Sequence, residues 1–296
     1  MNSILDKALI NAKKVTINCD SKLIFFSDLH RGDNSYADDF SHNMEIYSHA
    51  LQSYYDNGFT YFELGDGVEL WENYSFEPIY RAHAASFELL RQFHLENRAY
   101  MLYGNHDMIF RDPKVVEDMV YKYIYTPDEL REKKRLFNLH YNESILLEIE
   151  NTEKTILLIH GHQADWFNYR LWKLSLFFVR FLWMPLQKWF NIKDPTSPAK
   201  NYKSLIRVER KIRDWMLNNN NQMVIAGHTH RPRFPEPGDL PYFNDGSCVH
   251  PKSIIGIEIK DLEISLVKWH TSIDEENQNK IIKTVLGGPK SLDLYL

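Results

Sequence analysis

Cysteine is scarce in this chain of 296 residues: there are two, Cys19 and Cys248, far apart and in no metal-binding or redox spacing. That argues against a disulfide framework and a thiolate metal site, and it suits a reducing cytoplasm in which both act as small apolar residues. An excess of positive charge is also missing. With 35 Lys and Arg against 40 Asp and Glu, the formal net charge is −5. No chain-wide footprint for a nucleic-acid backbone results, and no nucleic-acid partner is expected. The opening stretch MNSILDKALINAKK lacks the apolar core and small-residue cleavage site of a signal peptide and reads instead as a short amphipathic helix, so no export is expected. No internal repeat is visible.

What is present is a soluble composition, 44% hydrophobic and 25% charged, with short apolar runs that each end in polar punctuation. Leu23 to His30, LIFFSDLH, reads as a strand buried on both faces that delivers Asp28 and His30 where it emerges; on an extended chain these residues point to one side and can share a cation. Residues 39–57 carry Phe40, Met44, Tyr47, Leu51 and Tyr54 at helical spacing, with Gly58 as a stop. Thr60 to Leu64 ends in Gly65-Asp66, a helix is expected around 78–96, and Ala99 to Tyr103 ends in Gly104-Asn105-His106-Asp107. This alternation predicts an α/β sheet. Further on, 145–149 and 155–159 read as a hairpin ending in His160-Gly161-His162, and Met223 to Ala226 ends in Gly227-His228-Thr229-His230. Strands at 254–259 and 262–268 close the pattern, and the asparagine run 218–221 reads as a helix-ending turn.

The strand ends thus supply DLH at 28, GD at 65, GNHD at 104, HGH at 160 and GHTH at 227. A mixed set of carboxylate, amide and imidazole donors suits Mn, Fe, Zn, Ni or Co rather than Ca. Five motifs in this order resemble the metallophosphoesterase superfamily, the calcineurin-like phosphoesterases, over roughly residues 23–249. The resemblance implies a four-layer α/β/β/α sandwich in one domain, 1–296, with a helical insertion at 163–221 between the fourth and fifth motifs and a tail at 270–296. It implies Asp28, His30 and His230 on a first divalent ion, Asn105, His160 and His228 on a second, and Asp66 bridging both, Mn being the first expectation. Two such ions, roughly 3.5 to 4 Å apart, make hydroxide available at neutral pH and neutralise phosphate oxygens during in-line attack. His106 is then the expected general acid, its ring oriented by Asp107 or Glu69. Arg31, Arg81 and Arg231 are candidate contacts for substrate phosphates, with Lys200 and Lys203 weaker ones, and His162 is placed behind the ligands or against substrate. Other histidines, among them His42, His49, His94 and His140, read as surface residues.

Within the superfamily, GDGVELW at 65–71, GHTHRP at 227–232 and the long insertion are similar to the UDP-diacylglucosamine pyrophosphatase branch, in which that insertion is a lid over acyl chains. The chain departs from that branch at His106, where arginine is usual, and at His162, where an acidic residue is usual. Residues 166–190 are dense in Trp, Phe and Leu, yet Lys173, Arg180 and Lys188 share one helical face. With Pro185 they argue against a membrane span and favour a lid or a helix lying on a membrane surface, with a core-packed helix as the alternative. The leading expectation is a two-metal hydrolase of a phosphoester or pyrophosphate bond in a small or lipid-linked substrate. The alternatives are a protein phosphatase or general phosphodiesterase of the same fold, and a non-enzymatic membrane-docking protein.

Overall fold

The computed structural model describes residues 3–36, 38–126, 128–129, 140–179, 202–273 and 278–296. The amphipathic N-terminus forms α1 (Ile4–Ile10), started by a capping box in which Asp6 N–H donates to Ser3 Oγ and Ser3 N–H to the Asp6 carboxylate. An edge strand follows, β1 (Lys13–Ile17), and then the apolar runs become β2 (Lys22–Phe26), β3 (Thr60–Leu64) and β4 (Ala99–Leu102), paired in parallel. Between them lie α2 (Met44–Asp56), α3 (Phe76–Ala82) and α4 (Ala84–Leu95). The expected single helix near 78–96 is two, broken at His83, whose buried ring pairs with Asp38 at 3.0 Å.

The rest of the chain adds β5 (Tyr141–Asn142), the hairpin β6 (Ser144–Ile149) and β7 (Thr155–Ile159), α5 (Trp166–Arg170), α6 (Trp172–Phe178), α7 (Tyr202–Leu217), β8 (Met223–Ala226), β9 (Tyr242–Asn244), β10 (Ser253–Lys260), β11 (Glu263–Ile273) and β12 (Asn279–Ser291). One sheet has the order β12-β11-β10-β2-β3-β4-β5 and the other β1-β6-β7-β8-β9. Because side chains alternate along a strand, Phe25 faces the second sheet while Phe26 faces the helices. Phe25, Phe62 and Leu102 meet Ile145, Leu158, Ile225 and Phe243 in the core between the sheets. Outside, α2 and α4 cover one sheet through Tyr47, Leu51, Phe87 and Phe93, and α1 and α7 cover the other through Leu5, Ile212 and Trp215. The result is the four-layer sandwich.

Of the segment expected as a tail, 270–296, residues 270–273 end β11 and 279–291 form sheet edge, with β12 pairing back along β11 from Asn279 to Ser291. Its residues are largely exposed, so it presents no buried apolar run for a sequence reading to detect. His94, expected at the surface, is buried with Nδ1 at 2.8 Å from the Tyr125 hydroxyl. Of the insertion, 163–179 and 202–217 carry helices, α7 burying Leu205, Val208 and Met216 against the second sheet. Asn218 to Asn221 turn the chain out of it. Arg180, Pro185, Lys188 and Lys200 lie outside the described residues, and Lys203 is exposed. Among the described residues no helix is long and apolar enough to cross a membrane.

Candidate metal centre

Parallel pairing makes β2, β3 and β4 end along one edge, and it does the same for β7, β8 and β9. Pairing continues past the strands and laces the exits together. Asp28 N–H donates to Gly65 O, His30 N–H to Asp66 O and Gly227 N–H to His160 O. Side chains join the two sheets: Asp28 Oδ2 accepts from His228 N–H at 2.8 Å, and His160 Nδ1–H donates to Leu64 O at 2.8 Å. The five motifs therefore meet at one end of the sandwich.

Asp28, His30, Asp66, His228 and His230 all take positive φ, between 48° and 65°. Left-handed backbone costs a non-glycine residue on the order of 1–3 kcal/mol and persists only where packing over-determines it. Here the flanking strands impose it, and it bends each donor off its strand toward the common point. Glycine is required where backbones crowd in: a Cβ at Gly104 would sit 2.1 Å from Asp66 Oδ1.

Three donor groups form among the described residues: one is His30, Glu69 and His106, and the other two hold the expected ligands. Asp28, His30 and His230 have ligand atoms within 4.8 Å of one another, and so do Asp66, His160 and His228. Asp66 Oδ2 lies 3.2 Å from His160 Nε2 and 3.8 Å from His30 Nε2, between the clusters, while Asp66 Oδ1 accepts from His106 N–H at 2.8 Å. That last bond holds the 104–107 loop over Asp66. Asn105 is fully buried there, and both its amide atoms lack a hydrogen-bond partner, as do His30 Nε2, His160 Nε2 and His228 Nε2. Buried polar atoms are ordinarily satisfied, so this set of orphans fits a role as cation ligands. Electrostatics agree. Against the cost of burial, Asp66 and Asp28 raise His160 to about 9, and Asp28, Glu69 and Asp66 hold His30 well above the imidazole range. The pocket favours positive charge, and its donors fit two divalent ions.

Beside the first cluster, Glu69 Oε2 lies 2.9 Å from His30 Nδ1 and 2.7 Å from His106 Nδ1. Burial pushes this carboxyl up, but the His106 and His30 imidazoles pull it down to about 2. His106 stacks on Trp71 at 4.1 Å between centroids and meets His30 edge-on. Glu69, not Asp107, is the carboxylate that lies against the ring. Both Asp107 oxygens are committed to backbone, accepting from Gly67 N–H at 2.8 Å, Val68 N–H at 3.4 Å and Gly104 N–H at 2.6 Å.

Arg31 is not a substrate contact. It is fully buried, paired with Glu63 at 2.8 Å, bonded to Tyr47 and Gly67 O, and lies over the rings of Phe40, Tyr47 and Phe87. Breaking a buried pair from one side costs about 3–5 kcal/mol. Arg31→Met should lower unfolding stability by that amount, read as a shift in urea midpoint, with metal content retained in protein that folds. Arg81 is exposed on α3 and pairs with Glu77, and Arg231 lies half-buried, 3.9 Å from Glu209. His162 is fully buried, stacked on Tyr169 and near His160, with neither ring nitrogen hydrogen-bonded; burial and the His160 and His228 charges keep it neutral. Two residues went unflagged in the sequence. Asp165 Oδ2 lies 3.8 Å from His228 Nε2, and Asp245 Oδ1 lies 2.7 Å from Ser27 Oγ, which donates to Asp28 Oδ2 at 2.5 Å. Asp245 follows the three-residue β9, too short to stand out.

A sandwich that turns carboxylates, an amide and imidazoles from two sheets onto one point defines a scaffold for a binuclear metal centre. The calcineurin-like phosphoesterase model matches residues 21–232, and the chain belongs to that family, whose members bind divalent metals in a binuclear site. No curated protein matches it. Solved structures similar to it include a conserved uncharacterized protein of Streptococcus pneumoniae, a predicted phosphoesterase, at 14% identity over 90% of this chain and 97% of that one, with a TM-score of 0.37. Vacuolar protein sorting 29 of Cryptosporidium parvum aligns at 12% identity over 90% and 98%, with a TM-score of 0.39. A mutant cold-active protein tyrosine phosphatase aligns at 14% over 90% and 81%, with a TM-score of 0.40.

Proposed function

We propose that this chain is a hydrolase of phosphoester or phosphoanhydride bonds, with Asp28, His30 and His230 holding one divalent ion, Asn105, His160 and His228 a second, and Asp66 shared between them. The observation that carries this reading is the place of Asp66 Oδ2, within 4 Å of an imidazole from each cluster. When bound, two such ions supply a lowered water pKa and charge neutralisation for the phosphoryl oxygens. The chain's own residues do the rest. Glu69 and Leu64 O accept from the Nδ1 atoms of His30 and His160, fixing the rings so that Nε2 faces the cations. Glu69 also turns His106, leaving its Nε2 to give a proton to the departing oxygen.

Stripping the protein with chelator should abolish turnover, and added Mn should restore it. The substrates to compare are p-nitrophenyl phosphate, bis-p-nitrophenyl phosphate, a phosphopeptide and a UDP-linked acyl sugar. No turnover of any of them by metal-loaded protein would sink the proposal. A second reading, action at a membrane surface on a lipid-linked substrate, is supported by the exposed Trp166, Leu174, Phe177 and Phe178 on α5 and α6, beside Arg170 and Lys173. Failure of the protein to float with anionic vesicles would dismiss it.

A further inference from the structure

Resting on the phosphoesterase reading, we infer that the cavity beside His106 is a binding site for the leaving group, built for one flat aromatic ring rather than a lipid chain or a charged group. The cavity is bordered by His106, Trp71, Met108, Ile109, Trp172 and Leu176, and its volume is about 110 Å³. It starts at the ring that has been assigned the proton transfer. Its walls are two indoles, the Tyr74 phenol, thioethers and aliphatic side chains from the segments after β3 and β4 and from α6. Flat walls and polarizable sulfur favour a ring, worth more than the area it buries. Of the polar side chains on this wall, Asn73 already donates to Glu69 O at 2.8 Å and Tyr74 adds a hydroxyl; among the described residues no carboxylate, ammonium or guanidinium lines the space. A second phosphate entering it would therefore lose its hydration without a compensating positive charge from a described lysine or arginine.

Size decides between a ring and a chain. An engineered apolar cavity of about 150 Å³ is known to take benzene. A space of about 110 Å³ is smaller than that, so it holds at most one ring and cannot enclose a long acyl tail. The substrate class is accordingly an aryl ester of phosphate, with the ring on the oxygen that departs. In the step itself the bond from phosphorus to that aryl oxygen breaks as the bond from phosphorus to a water oxygen forms. The proton on His106 Nε2 goes to the aryl oxygen, and the proton lost by the water leaves for solvent.

The test uses phosphonates, which are not hydrolysed, on the Mn-loaded full chain, read both as inhibition constants and as heats of binding. Benzylphosphonate, which spaces its ring as a phenyl ester does, should bind at least about tenfold more tightly than methylphosphonate. It should also bind more tightly than cyclohexylmethylphosphonate. Leu176→Trp, which fills the cavity from α6, should reduce the benzyl preference to under about threefold and leave methylphosphonate affinity unchanged. Leu176→Ala opens the space and should move the preference toward 1-naphthylmethylphosphonate, which guards against misfolding of the larger substitution. Equal binding of the benzyl and methyl compounds would overturn the inference, as would a benzyl preference that survives Leu176→Trp. Tighter binding of dodecylphosphonate than of the benzyl compound would overturn it in favour of a lipid chain. If neither methylphosphonate nor inorganic phosphate binds and no ester turns over, it is the phosphoesterase reading that has failed.

Discussion

Asp66→Asn should lower turnover by about three orders of magnitude or more and deplete both metal positions together rather than one. The two carboxylate oxygens do different work. Oδ2 stands between His30 and His160, and Oδ1 accepts the His106 backbone N–H. An asparagine can satisfy one of these demands and not both. With its oxygen on His106 N–H, the amide NH₂ group faces the cations. With its oxygen on the cations, the NH₂ group opposes the His106 N–H and frees the loop that carries Asn105. Either way a negative charge is lost from a pocket whose imidazoles are already drawn to positive charge by their carboxylate neighbours. Metal per chain after gel filtration, set beside kcat on p-nitrophenyl phosphate, checks this. Two ions per chain with turnover within tenfold of the parent would remove Asp66 from its bridging place.

The contrast with Arg31 shows how much of this was legible in the sequence. Apolar runs ending in Asp, Asn and His announce both the strands and the donors, because a strand buried on both faces can present polar groups only at its exit. That logic found β2, β3, β7 and β8 and every donor now seen in the two clusters. It also placed Arg31 at the site by proximity in sequence. Arg31 forms an isolated bridge to Val68 after the left-handed turn at His30, and its side chain runs back under the helices to Glu63, a long-range pairing that no local pattern encodes. Asp107 fails in the same way. Its position next to His106 suggested contact with the imidazole, but the turn at Gly104 spends both carboxylate oxygens on backbone N–H groups. Glu69, far from His106 in sequence, takes its place because His30 N–H pairs with Asp66 O and Glu69 N–H with Arg31 O, which puts the loops after β2 and β3 side by side. Edge strands were least visible: β12 is exposed, and half-exposed β1 shows no apolar run.

His106→Ala should slow turnover by roughly two to four orders of magnitude while leaving metal content intact, since the ring stands outside both Asp28-His30-His230 and Asp66-His160-His228 and joins them only through the neighbouring group of His30, Glu69 and His106. The size of the loss should depend on the leaving group. An ester of p-nitrophenol departs without a proton and should lose least; an ester of unsubstituted phenol needs the proton and should lose most. A purely structural role for His106 would lower both alike. Glu69→Gln separates the two tasks of that carboxylate. It keeps the volume but removes the charge beside His106 Nδ1, and it weakens the brace on His30 Nδ1, so activity and affinity for the first metal should each fall by about 10–100-fold. Asp107→Asn should act differently. Its carboxylate holds the turn between Gly67 and Gly104, so the expected change is a lower unfolding midpoint with the ratio of phenyl to p-nitrophenyl turnover unmoved. A ratio that moves with Asp107→Asn and not with Glu69→Gln would return the orienting role to Asp107. Metal loss in His106→Ala would make that histidine a ligand, and the proton for the departing oxygen would then have to come from elsewhere.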